Sequence, residues 1–295
     1  MKHVLRDRAL SIALAVLSVV AVAAIIGPWI WDKPVNATGS SLLDSRLAPS
    51  WAHPFGTDQS GRDVLARFLS GARISLLAGV IAVITGGLIG GALGVISGAR
   101  RGWFDTVVMR LLDIVLAFPP LILAMGIATA RGPGVTSAVI GIVLTTIPYF
   151  TRLVRSDVVK INALPHVESS RAMGASERRT LLRHVVPHTA STMLVQSASV
   201  FGYTVLSLAA LGFVGLGADA NTPEWGVMIT KGQSEMLNGN WWMATFPGIG
   251  LLLVCTAANV VADRVRVHLH SPAEGAADPD VPVSIPSISP IGVSG

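Results

Sequence analysis

The sequence predicts an all-α integral membrane protein of six transmembrane helices, with a helix–glycine–helix loop on the cytoplasmic side. Three observations carry that expectation. Of 295 residues, 51% are hydrophobic and 13% charged, against about 25% charged in ordinary soluble domains; mean hydropathy is +0.62. Uncharged apolar runs recur at about 20 residues, the length a helix needs to cross a bilayer core of roughly 30 Å. A polar, basic island at 160–189 interrupts them. The pI near 10.0 and net charge of +5 do not indicate nucleic acid, because the basic residues flank apolar runs and form no single stripe. The lone cysteine, Cys255, permits no intrachain disulfide and reads as a small core residue.

In chain order, residues 1–8 form a basic cytoplasmic head with Lys2, Arg6 and Arg8. Residues 9–31 are an N-terminal anchor, 23 residues without a charge, with Trp29 and Trp31 at the far interface. The rival, a cleaved signal peptide, would have an apolar part of about 7–15 residues, so a retained anchor is expected. Residues 32–73 are a polar extracytoplasmic segment, and 74–262 the membrane core. The second span, Ile74–Ser97, carries Gly86, Gly87, Gly90, Gly91 and Gly94 in overlapping G-x-x-x-G pairs, which let helix backbones approach closely. Further spans are expected from Phe104 to Ala130, Val135 to Thr151, Ser191 to Gly217 and Trp241 to Ala262, with 218–240 a polar loop. Pro119–Pro120 and Pro148 should kink the third and fourth spans, since proline removes a backbone donor. The 263–295 tail, which beyond Arg266 has five prolines, three acids and no Lys or Arg, is expected to be cytoplasmic and disordered.

With both termini placed inside, fifteen Lys/Arg fall on inner segments and seven on outer ones, so the positive-inside rule puts the island in the cytoplasm. There Pro165 suits a first helical turn, Gly174 a positive-φ helix stop and Ser176 an N-cap. Pro187 is expected to break the second short helix. No P-loop is present, since no glycine directly precedes any of the four lysines. Neither G-x-S-x-G nor H-E-x-x-H occurs. His184 and His188 have i,i+4 spacing, but Pro187 lies between them, so an interfacial pair is expected and no metal site. The chain therefore has no visible means of hydrolysing ATP. Arg110 and Asp113, at i,i+3, are expected to pair on one face of the third span; contact with a solute is the alternative.

The island resembles the EAA-type coupling loop of permeases in binding-protein-dependent ABC importers, whose pattern is E-A-A, three residues, Gly, nine residues, I-x-L-P. Here it reads Glu168-Ser169-Ser170, Arg171-Ala172-Met173, Gly174, nine residues beginning at Ala175, then His184-Val185-Val186-Pro187. The spacing is intact; serines replace both alanines, His184 the isoleucine and Val186 the leucine. HPFGTDQSGRDVLARFLSGARISL, MRLLDIVLAFP, GFVGLG, TPEWG and WWMATFPG resemble the dipeptide/oligopeptide/nickel branch, and within it the second, C-type permease. The resemblance covers Trp51 to Arg266.

The resemblance implies the type I ABC importer permease fold, in a non-catalytic subunit of a bacterial inner-membrane peptide importer. Nickel complexes or another small solute are the alternative cargo, and a secondary transporter without ATPase a remote one. It implies a homologous B-type permease as heterodimer partner, two cytoplasmic ATPase subunits or domains, an extracytoplasmic solute-binding protein and membrane lipid. ATP and Mg²⁺ belong to the ATPase partners, and the chain itself holds no cofactor. ATPase coupling is expected of Glu168, Ser169, Ser170, Arg171, Ala172, Gly174, Ala175 and Pro187. Asp58, Gly61, Arg62 and Asp63, with Pro223, Glu224, Trp225 and Gly226, are expected to face the binding protein and the gate. Arg178, Arg179 and Arg183 are expected to face ATPase acids or lipid headgroups, and both readings stay open.

Overall fold

A computed structural model describes residues 7–31, 33, 44–219 and 221–270. The expected basic residues Lys2 and Arg6, and the tail beyond residue 270, lie outside the described residues. Helix α1, Arg8–Ile30, starts where the Asp7 carboxylate accepts from the N–H groups of Ala9 and Leu10. Its indole neighbour Trp31 donates to Asp63 at 3.1 Å.

Helix α2, Val64–Arg100, spans 37 residues. Val64–Arg73, expected in the extracytoplasmic segment, belong to this helix. Asp63 caps it by accepting from the Ala66 N–H, and the buried Arg67 donates to the Asn221 carbonyl at 3.3 Å. These polar first turns pack against loops, which the hydropathy pattern does not register. The glycine face of α2 meets α5, Val135–Asn162. A Cβ on Gly90 would lie 2.6 Å from the Ile147 carbonyl oxygen, and one on Gly94 2.7 Å from that of Thr151. The contact is backbone to backbone, as the G-x-x-x-G spacing predicts.

The third span is broken. Helices α3, Trp103–Leu116, and α4, Pro120–Arg131, meet at 83°. Two consecutive prolines remove two helix donors at once, so the chain breaks where a kink was expected. Pro148, alone, stays inside a continuous α5. Among the described residues, five helices are thus long and apolar enough to cross a membrane, and six spans result when the bent pair is one of them.

After α5 come the short helices α6, Pro165–Ala172, and α7, Glu177–Thr180, then a π-helical turn, Leu181–Val185, and α8, Val186–Phe213. The expected polar loop 218–240 contains α9, Trp225–Met236. Glu224 nucleates it by accepting from the Gly226 and Val227 N–H groups at 2.9 and 3.0 Å. Trp225 is fully buried, its indole donating to the Phe68 carbonyl at 3.1 Å. Around it pack Ala72, Val205, Met228, Trp242 and Val254, the core of that end of the bundle. Truncating a buried Trp to Ala costs about 3–5 kcal/mol. Helix α10, Trp242–His270, closes the described chain.

The α1 start and the α10 end meet through Arg264 and Asp7 at 3.6 Å. The Gly98 position of α2 touches Val158 of α5 at the end of the bundle where α6 and α7 stand. At the opposite end, residues 44–63 and α9 form a cap. There Arg46 bridges to Glu235, and the Trp242 indole donates to the Thr57 carbonyl at 3.1 Å.

Candidate functional site

Helix α6 starts because Pro165, with no N–H to leave unpaired, occupies the first turn. It stops in a Schellman arrangement. The Gly174 N–H bonds to the Arg171 carbonyl at 2.9 Å, and the Ala175 N–H reaches back to that of Ser170 at 3.1 Å. Gly174 has φ +87°, a conformation most side chains resist. The Ser176 hydroxyl then accepts from the Arg179 N–H at 3.4 Å to start α7.

Pro187 does not break this second helix, contrary to expectation. The chain is helical without interruption from Glu177 to Phe213. The π turn absorbs the proline: the Val186 N–H bonds to Leu181 O, five residues back, and the widened turn accommodates the ring that follows. Pro187 therefore stands in the second position of α8, where a missing N–H costs little.

The elbow has an inner and an outer side. Inward, Val167 and Val185 are fully buried against Val154, Val158 and Ile161 of α5. Outward, Glu168, Ser169, Arg171, Ala172 and Gly174 are exposed, with Ser170 and Ala175 half-buried. Met173 stands at the tip, 82% exposed. A Cβ on Gly174 would meet nothing within 4 Å. The Arg171 guanidinium donates to the Asn162 side-chain oxygen at 2.9 Å, bracing α6 against the end of α5. The result is a short lever, clamped by valines to a 28-residue helix on each side, with a polar and basic face left open.

At the opposite end, Arg62, Asp63, Pro223, Glu224, Trp225 and Gly226 are buried within the chain, with Asp58 and Gly61 half-buried. Their polar atoms are consumed internally. Asp58 accepts from the Arg62 guanidinium at 2.8 Å and from the Ser60 and Arg62 N–H groups, around a turn made by Gly61 at φ +74°. Asp63 gathers Trp31, Lys33, His53 and the Ala66 N–H. Burial alone would raise the Asp63 pKa, but these hydrogen bonds outweigh it and hold the carboxyl below its ordinary value. Glu224 shows the reverse balance: burial pushes it up despite its two backbone donors and the Ser75 hydroxyl. A D-V-L or E-W-G sequence, an acid immediately before an apolar helix start, signals such caps.

Asp113 does not pair with Arg110. Its carboxylate bonds across the helix interface to Arg152 of α5 at 2.5 Å, because α3 lies alongside α5 and offers a closer cation there than on its own surface. One helical turn on along α5, Arg155 forks onto Asp105. Sequence spacing within one helix could not show either pair.

Residues 90–270, elbow included, match the family described as binding-protein-dependent transport system inner membrane component. The chain is 35% identical over 272 residues to the probable D,D-dipeptide transport system permease protein DdpC of Escherichia coli K12, covering 92% of this chain and 90% of that one. It is 37% identical over 268 residues to the glutathione transport system permease protein GsiD of Escherichia coli O6:K15:H31, covering 90% and 87%. In fold it is similar to a chain of the MetNI methionine ABC transporter in an inward-facing conformation. The TM-score is 0.52 at 20% identity, over 68% of this chain and 95% of that one. With its spans, its broken helix and its elbow accounted for, this multi-pass chain belongs to the family of binding-protein-dependent ABC transport permeases of the inner membrane.

Proposed function

We propose that this chain is the C-type permease subunit of an ATP-driven importer of di- or oligopeptides. The observation that carries the reading is the elbow: a Schellman-bent pair of short helices, clamped inward and open outward, between two long membrane helices. The elbow lies on the cytoplasmic side, as do both chain termini, in keeping with the Lys/Arg asymmetry. Each of two ATPase subunits holds one elbow, one from this chain and one from a homologous B-type permease. ATP and Mg²⁺ act on those ATPases. Their closure pushes Val167 and Val185 against α5, rocks the bundle and opens the path outward, where a solute-binding protein delivers its cargo. Hydrolysis returns the inward-facing state. Peptide as cargo is supported by relatives named for D,D-dipeptide and glutathione transport.

The test is reconstitution of the complete transporter in liposomes. Uptake of a radiolabelled dipeptide that requires both ATP and the binding protein is the expected result. Uptake by this polypeptide alone, without ATPase, contradicts it.

A further inference from the structure

Three larger surface clefts of the bundle are walled mainly by Ile, Val, Leu and other apolar side chains. Another, of about 340 Å³, lies between α5, α8 and the break that separates α3 from α4. Its volume falls in the roughly 300–1,000 Å³ range of small-molecule sites. Its wall carries five hydroxyls, from Thr145, Thr146, Tyr149, Ser199 and Tyr203. Tyr149 sits two residues before the end of the span expected at 135–151, and Ser199 eight residues inside the span that starts at Ser191.

These hydroxyls are unequally employed. Thr145 and Thr146 both donate to the Ile142 carbonyl at 2.8 Å, and the Tyr149 hydroxyl accepts from Gln196. Ser199 and Tyr203 make no hydrogen bond to the described residues, and Tyr203 is 47% exposed. The helix break borders the same cleft through Leu116 and Pro120. Pro120 has no N–H, so the Leu116 carbonyl loses its i+4 donor. Free hydroxyls and irregular backbone are both costly against hydrocarbon, and both are tolerated where water or a hydrogen-bonding solute reaches. Two independent features thus mark one face of the bundle. At one end of the cleft the Asp113–Arg152 pair stands one turn from Leu116 and Tyr149, each side chain 49% exposed.

We infer that this cleft is the wall along which the chain touches its passing solute, and that it binds the backbone amides of a peptide. A hydroxyl both donates and accepts, which matches the alternating N–H and C=O groups of a peptide. Uncharged aromatic and aliphatic neighbours accommodate varied side chains without selecting a charge. The inference rests on the proposed peptide import and adds the residues that serve it.

The experiment uses the complete transporter in liposomes with Cys255→Ser, which removes the lone cysteine. Ser199→Cys and Tyr203→Cys are compared with Val19→Cys on α1, 67% exposed and assigned to lipid. The probe is a cationic, membrane-impermeant methanethiosulfonate. The expected result is reaction at 199 and 203 but not at 19, slowed by dialanine, with uptake reduced about tenfold or more after reaction. Tyr203→Phe should raise the KM for dialanine uptake about two- to tenfold at unchanged membrane abundance. Thiols at 199 and 203 as unreactive as at 19, or reaction that leaves uptake intact, overturns the inference while peptide import stands. No dialanine uptake by the unmodified transporter fells peptide import and this ligand together.

Discussion

Arg155 donates to both carboxylate oxygens of Asp105, at 2.5 and 2.6 Å. The fork ties the first turn of α3 to α5 one turn before Val158 enters the valine cluster beneath the elbow. In the proposed mechanism, displacement of the elbow reaches the broken span through this charged, bidentate link, which transmits direction better than a single contact.

Cutting that link should uncouple more than it destabilises. The Arg155 side chain is 35% exposed, so solvent screening limits the stability loss of Arg155→Ala to about 1 kcal/mol. Uptake per ATP hydrolysed should fall, with normal membrane abundance. The exchange Asp105→Arg with Arg155→Asp should restore part of it, and paired measurements of uptake and ATPase rate check both outcomes.

Gly174→Asp should leave the protein inserted and abolish uptake. A non-glycine residue in the left-handed region costs roughly 1–2 kcal/mol, and beyond the adjoining residues nothing lies within 4 Å of the new Cβ. The loss should thus show in coupling, not in folding. Gly174→Asn, which tolerates positive φ, should retain more uptake than Gly174→Asp. Membrane immunoblots beside uptake assays distinguish these outcomes.

Two other glycines should separate packing from conformation. A Cβ on Gly226 would lie 2.2 Å from the Ala209 carbonyl oxygen, backbone that cannot swing aside. Gly226→Ala should destabilise by about 1–3 kcal/mol. Gly126 in α4 has nothing within 4 Å, so Gly126→Ala should be neutral or stabilising by up to about 1 kcal/mol. Thermal unfolding of the detergent-solubilised transporter measures both.

The Arg46 guanidinium reaches both Glu235 oxygens at 2.8 and 3.0 Å, and Asn240 adds a bond at 3.0 Å. These hold Glu235 down to about 2, against an ordinary 4.5. A carboxylate lowered on folding contributes stability that is fully present above the unfolded pKa and lost as pH falls through the folded one. Between pH 4.5 and 2, the wild-type melting temperature should drop more steeply than that of Glu235→Gln. Parallel slopes would show that the carboxylate contributes nothing.

The elbow was legible from sequence because its determinants are local: Pro165 at a start, Gly174 at a stop, Ser176 at a cap. The π turn was not, because Pro187 signals only a lost donor and gives no hint of how the turn before it widens. The apolar spans follow from hydropathy, but their polar ends do not. Val64–Arg73 and α9 are held by Asn221, Asp58 and Glu224, residues far apart in sequence. The same blindness affected Asp113, whose partner Arg152 is 39 residues away. It also hid the buried capping roles of Asp63 and Glu224.

The most direct test uses Met173→Cys in the Cys255→Ser background, with the assembled transporter in native membranes. A crosslink from position 173 to an ATPase subunit, altered by ATP, is the predicted result. Labelling of that cysteine by an impermeant reagent added outside intact cells, or a crosslink to the binding protein in its place, would contradict it.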